Sequence, residues 1–263
     1  MLYIRILIPN TRKMPYRRLP NTDIARLRAL NAALKMGSTL FHTDLAISQS
    51  LLLKLRAFLP LFKQTVDHQR EAFRRQTQNS KTYLDIQKRA RLYISHFIQV
   101  LNLAIVRGEL KPETRKYYGL KVNQKTVPDL NTEAEIIEWG EKLIKGEAER
   151  LATGVAPITN PTIALVKVRY EDYIRTHRNQ KSLQDIYAKA TLKVAEMRKE
   201  ADELIVEIWN QVEAFFGELP PKQMREKAKT YGVVYVYRKG ELEAEAEEEA
   251  KNSNDLVNET SVL

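Results

Sequence analysis

Cysteine is absent from this sequence of 263 residues, and residues that interrupt helices are scarce, with nine glycines and ten prolines. Without cysteine the chain forms no disulfide bond, thiolate metal site or cysteine nucleophile. The scarcity of glycine and proline favours long helices over many short strands. Apolar residues make up an ordinary 43% of the chain, so the sequence predicts a globular, mainly helical protein with a sizeable core.

Long apolar runs are missing as well. No stretch approaches the roughly 20 apolar residues that a membrane-spanning helix needs. The short apolar run at the N-terminus is interrupted by Arg5 and lacks the cleavage site of a signal peptide. We therefore expect a cytoplasmic protein with no membrane partner.

The common catalytic and metal-binding motifs are not found. The sequence contains no phosphate-binding loop, dinucleotide-binding loop, zinc-protease motif or nucleophile elbow. No glutamate precedes a histidine by three residues, the spacing used in di-iron bundles. We therefore predict no catalytic, metal or cofactor residues. An enzyme whose site is assembled from distant residues stays an alternative.

Apolar residues recur at intervals of three and four, which predicts amphipathic helices. The clearest stretch is 83–110, which places one apolar residue per turn on one face for three heptads and ends at Gly108, a residue suited to a left-handed helix cap. A turn at 76–80 is expected to join this helix to the preceding one as a hairpin. The other predicted helices lie at about 21–37, 43–75 with Pro60 inside it, 131–152, 160–174, 182–216 and 221–229.

Segments of the two halves of the chain resemble one another in the same order. The best match pairs Tyr118-Gly119-Leu120 with Tyr231-Gly232-Val233, and residues 233–237 form the clearest strand pattern. A lone strand leaves backbone groups unpaired, so the two Tyr-Gly segments are expected to pair. The predicted fold class is all-α, an elongated bundle of two related three-helix units with a small two-stranded β ribbon.

The expected organisation is one helical domain between two segments of different character. Clustered acidic residues and low apolar content predict a disordered tail at the C-terminus. The predicted divisions are an extended N-terminal segment at 1–20, a helical domain at 21–238 with units at about 21–122 and 131–238, and an acidic tail at 239–263.

Positive charge is concentrated in the first half of the chain. Residues 1–130 contain 24 basic and 8 acidic residues, a balance of +16, whereas 131–238 contain 17 of each and 239–263 contain 2 basic and 8 acidic, a balance of −6. This asymmetry indicates that the first half contacts an anionic partner, and the alternative is a solvated basic surface. The candidate binding residues surround the predicted hairpin tip and are Arg70, Arg74, Arg75, Lys81, Lys88 and Arg89.

Three stretches resemble an uncharacterised family of all-helical proteins from gut bacteria, known as a domain of unknown function. They are Arg17-Arg18-Leu19-Pro20-Asn21-Thr22-Asp23, the segment 160–171 and the segment 231–238. The resemblance covers residues from about 14 to 238 and implies a single helical domain. It implies no activity, cofactor or site residue.

The leading hypothesis is a non-enzymatic binding or scaffolding protein whose basic N-terminal half contacts an anionic partner, either nucleic acid or an acidic protein. One alternative is a protein–protein adaptor that uses a groove between the two units. The other is an enzyme with a dispersed site. In the first hypothesis the acidic tail is expected to shield the basic half, and the oligomeric state is left open.

Overall fold

The computed structural model describes residues 15–41 and 43–238, which form an all-α fold with one small antiparallel sheet. This confirms the predicted fold class. The predicted acidic tail and the first 14 residues of the extended segment lie outside the described residues. The elements are β1 (Tyr16–Arg17), α1 (Asp23–Thr39), α2 (Gln49–Val106), a 3-10 helix (Pro112–Tyr118), α3 (Glu133–Leu151), α4 (Ile163–Phe215), α5 (Pro221–Thr230) and β2 (Tyr235–Val236).

The predicted hairpin turn at 76–80 is wrong, because α2 continues through it as one helix of 58 residues. Five polar residues made this stretch resemble a loop, but two of them are glutamines, which favour helices, and two of the others are hydrogen-bonded to α4. Asn79 Nδ2 donates to Gln180 Oε1 at 2.7 Å, and Gln180 Nε2 donates to Ser80 Oγ at 2.9 Å. Gln180 is buried and lies on α4. This single helix spans both of the helices predicted at 160–174 and 182–216, so the predicted break between them is wrong.

The chain divides into two compact units, of which the first combines two separate stretches and the second is continuous. Unit 1 combines Met1–Asp67 with Lys193–Leu263, and unit 2 is His68–Leu192. These bounds differ from the predicted repeat units at 21–122 and 131–238, and the internal repeat is not confirmed. Pro60 lies inside α2 as predicted.

Unit 1 packs α1 and α5 against the first part of α2 and the last part of α4. Its largest fully buried side chains include Leu30, Phe62, Trp209 and Tyr231. The sheet of this unit pairs Tyr16 with Val236 and Arg17 with Tyr235. The predicted strand near 233–237 therefore exists, but its predicted partner was wrong.

Unit 2 packs the second part of α2 against the 3-10 helix, α3 and the first part of α4. Tyr118 belongs to the 3-10 helix, where it is fully buried, and it is therefore not available to pair with β2. Gly146 lets α3 pack closely against the 3-10 helix, because a Cβ at this position would lie 2.3 Å from the Tyr117 carbonyl oxygen. Gly108 has φ +78°, which confirms its predicted left-handed conformation after α2.

Two glycines, Gly232 in unit 1 and Gly154 in unit 2, allow crowding to be separated from backbone strain. Gly232 has φ +89° and an added Cβ would lie 2.8 Å from the Ala29 carbonyl oxygen, whereas Gly154 has φ +81° and open space around it. We expect Gly154→Ala to lower the free energy of unfolding by about 1–2 kcal/mol from left-handed strain. Gly232→Ala is expected to lower it further, since it adds a steric clash. Urea denaturation followed by circular dichroism measures both, and equal losses would contradict the close approach to Ala29.

Candidate anion-binding surface on helix α2

All six predicted cations lie on α2 within unit 2, and all are exposed. Because the helix is continuous, they surround no hairpin tip but follow the helix axis. Four of them recur at intervals of four, seven and seven residues and therefore share one face over about 27 Å, at ~1.5 Å per residue. We name this set the cationic stripe; its members are Arg70, Arg74, Lys81 and Lys88.

The other two predicted cations, Arg75 and Arg89, lie on the flank of the stripe. They are two heptads apart, so they share a second face of α2. The structure thus brings the six residues onto one helix but separates them into a row of four and a flanking pair. The residue spacings alone predict this division for a continuous helix, but the turn predicted at 76–80 prevented us from recognising it.

Glu71 partly neutralises the stripe. Glu71 accepts hydrogen bonds from Arg74 Nε at 2.8 Å and from Arg75 Nε at 2.7 Å. These bonds lower the pKa of Glu71 to about 2, so its negative charge persists throughout the physiological range. Lys81 and Lys88 have no ion pair with any described residue. Residues 68–91 contain seven basic and two acidic residues, a balance of +5.

On the buried side of α2, Tyr83 belongs to a polar cluster that joins α2, α3 and α4. Its hydroxyl donates to Glu133 and lies 3.3 Å from His177 Nδ1. Lys181 Nζ lies 3.1 Å from Glu133 Oε2, and the rings of Tyr83 and Tyr173 stack with centroids 6.0 Å apart. We name these five residues the Tyr83 cluster.

The electrostatics of the Tyr83 cluster favour a structural role. Burial, with the bond to Glu133, raises the pKa of Tyr83 far above its ordinary value. The hydrogen bond from Tyr83 is in turn the main cause that lowers the pKa of Glu133. The phenol is therefore held protonated and the carboxylate ionised, and the bond between them ties α2 to α3. Sequence reasoning missed this cluster, because Glu133 and His177 lie 50 and 94 residues from Tyr83 and form no motif.

A second polar cluster is fully buried in unit 2 and consists of Tyr118, Glu147 and Arg150. Arg150 donates to both carboxylate oxygens of Glu147 at 2.7 and 2.8 Å, and the Tyr118 hydroxyl donates to the same carboxylate. Burial alone would raise the pKa of Glu147, but the hydrogen bonds from Arg150, Tyr118 and the Ile158 amide outweigh it and lower that pKa. This Glu147 cluster ties the 3-10 helix to α3 and to the loop that follows it.

Unit 1 contains a groove of about 740 Å³ between α2 and α4. Its apolar part includes Leu61, which is 57% exposed. Its acidic part is a row of three glutamates on α4, none of which has an ion-pair partner among the described residues. The residues that line the groove are Lys54, Ala57, Phe58, Leu61, Thr65, Lys193, Met197, Glu200, Glu203, Leu204 and Glu207.

A metal centre is not found in the described part of the chain, where no three histidine or acidic side chains are grouped so as to hold an ion. Within residues 15–41 and 43–238, no helix is both long and apolar enough to span a membrane.

Comparison with protein-family models, curated proteins and solved structures finds no match for this chain. The resemblance to the gut-bacterial family therefore stays a prediction.

Loss of the buried carboxylate is expected to destabilise unit 2 strongly. Glu147→Gln leaves the Arg150 guanidinium buried without a countercharge, which costs about 3–5 kcal/mol of unfolding free energy. Glu149→Gln is the matched control, since Glu149 is exposed on the same helix and should change stability by less than about 0.5 kcal/mol. Chemical denaturation compares the two variants. Similar small losses would show that the Glu147 cluster contributes little.

The same cluster predicts a pH dependence. A carboxylate whose pKa is lowered by folding stabilises the protein above its unfolded pKa of about 4.3 and loses that contribution as the pH falls through its folded pKa. The unfolding free energy should therefore fall as the pH is lowered from about 5 towards 3, and fall less steeply in Glu147→Gln. Denaturation curves across this pH range measure both slopes, and identical slopes would contradict the assignment.

Proposed function

We propose that this protein is a non-enzymatic binding or scaffolding protein whose cationic stripe contacts an anionic partner, with nucleic acid as the partner class to test first. The observation that carries the proposal is the row of four exposed cations on one face of a continuous helix. The buried side of α2 confines polar side chains to the exposed side, and residues 68–91 carry a balance of +5 there.

The geometry of the stripe suits an extended polyanion. Its cations stand about 6 to 10 Å apart along the helix axis, and long lysine and arginine side chains adjust to phosphates at such spacings. Phosphate contacts of this kind give affinity without sequence specificity and release counterions, so binding weakens with salt. We therefore expect weak sequence preference and a strong salt dependence.

Behind the stripe, polar contacts of the Tyr83 cluster attach α2 to its neighbouring helices. The Tyr83 cluster fixes the buried side of the same helix segment to α3 and α4. A helix held in this way presents its cations in a constant register, which lowers the entropy lost on binding.

We place the protein in the cytoplasm, with no membrane partner, and an acidic protein is the second partner class.

The alternative function is a protein–protein adaptor, and the groove of unit 1 is the observation in its favour. The adaptor hypothesis expected a groove between two repeat units, whereas this groove lies within unit 1. Its exposed leucine and its row of glutamates suit a helix with one apolar face and one basic face.

A salt series tests the proposal directly. The full chain is titrated with mixed-sequence DNA and RNA at several salt concentrations, beside the stripe variant Arg70→Gln/Arg74→Gln/Lys81→Gln/Lys88→Gln. Each phosphate contact contributes about 0.9 to the slope of log affinity against log salt on double-stranded DNA. We therefore expect the variant to bind more weakly and its slope to be shallower by up to about 3.6, since four contacts are removed.

The matched control removes the same charge from the same unit but away from α2. Four exposed lysines serve for this, all changed to glutamine: Lys111, Lys116, Lys121 and Lys125. Equal effects of the stripe variant and the control would reduce the stripe to part of a general basic surface. No binding at low salt would contradict a nucleic-acid partner and would direct the search to proteins, with the groove of unit 1 as the first surface to mutate.

A further inference from the structure

A concavity of about 490 Å³ opens in unit 1 beside the sheet. It is lined by three segments: the chain from β1 into α1, the first turns of α1, and the chain from the end of α5 towards β2. Each segment contributes one cation, namely Arg18, Arg28 and Lys229. None of the described residues that line it is acidic, so three like charges share one recess without a countercharge.

Neighbouring arginines of the same unit have hydrogen-bond or ion-pair partners, in contrast to the three cations of the recess. Arg26 binds both carboxylate oxygens of Asp202 at 2.7 and 2.9 Å, and Arg198 binds Asp23 at 2.7 and 2.8 Å. Arg17 donates to Asn210 at 2.8 Å. By contrast, the side chains of Arg18, Arg28 and Lys229 make no hydrogen bond or ion pair with any described residue.

The segments that carry these cations are fixed by backbone and core contacts. The Arg18 amide donates to the Val234 carbonyl at 2.8 Å, which continues the sheet pairing. Gly232, with φ +89°, lies so close to Ala29 that no side chain fits between them. The recess is therefore held open by the fold, and its cations come from three anchored positions rather than from one helix face.

We infer that this recess is a binding site for a small multivalent oxyanion, such as the phosphate group of an organic phosphate. The three cations that line the recess can supply charge-assisted hydrogen bonds, which are stronger than neutral ones and suit phosphate oxygens. The Asn21 amide adds a further polar group, and Leu19, Pro20 and Val233 form apolar walls for an organic body.

A simpler account explains one cation only. Lys229 lies in the last turn of α5, where positive charge is favourable to the helix dipole. Arg18 and Arg28 occupy no helix C-terminus, so the helix dipole does not account for their place in the recess. The inference is independent of the cationic stripe, which belongs to unit 2.

The test is titration of the full chain with inorganic pyrophosphate by calorimetry. We compare wild type with Arg18→Gln, Arg28→Gln and Lys229→Gln, each of which changes an exposed side chain. Each substitution should weaken binding by about tenfold, as expected for loss of one charge-assisted hydrogen bond. Lys35→Gln is the matched control, since Lys35 is exposed on α1 outside the recess, and it should leave the affinity nearly unchanged.

A second readout uses the wild-type chain, so it does not depend on how a variant folds. Acetylation of lysines by a mild reagent is quantified by mass spectrometry with and without pyrophosphate. Protection of Lys229 but not of Lys35 supports the site. Equal protection of both lysines, or equal loss of affinity in the control and the three recess variants, overturns it and leaves a diffuse attraction to a basic surface.

The outcome can be told apart from a failure of the proposed function. The stripe variant should bind pyrophosphate as wild type does, and the recess variants should keep the salt slope for nucleic acid. A stripe variant that loses pyrophosphate affinity while the recess variants keep it would assign the anion to unit 2 and overturn the inference.

Discussion

The hydrogen bonds between Gln180 and the pair Asn79 and Ser80 tie the polar stretch at 76–80 of α2 to α4. Asparagine and serine have weak helix propensity, and these bonds satisfy their side chains where α2 continues as one helix. Helix continuity has a consequence for charge, because it places cations from both sides of that stretch on one face. A turn at the same place would have folded Arg70 and Lys88 back onto two separate helices.

The sequence predicted most of what depends on local pattern. The all-α class, the start of α3 near Asn131, the left-handed Gly108 and the short helix after Pro221 all follow from periodicity and caps. What it did not predict depends on residues distant in the chain. The partner of β2 is a segment more than 200 residues earlier, and nothing in the Tyr16–Arg17 pair marks it as a strand.

The same reason explains the candidate sites. The six cations on α2 were identified from their density, but their division into a row and a flank required the helix to be continuous. The Tyr83 cluster and the recess with Arg18, Arg28 and Lys229 bring together residues from three segments each, and no short motif links them. Both polar clusters of unit 2 serve to fix helices, which leaves the exposed charge as the feature best suited to binding.

The continuity of α2 is the central claim, and one distance tests it. Because the chain has no native cysteine, Arg70→Cys/Lys88→Cys can be spin-labelled at those two positions alone and measured by pulsed electron paramagnetic resonance. A continuous helix separates the two Cα atoms by about 27 Å, at ~1.5 Å per residue. A hairpin with its turn at 76–80 would bring them to about 10 Å, the distance between packed helices. The longer distance would support the stripe as a single face, and the shorter one would contradict it.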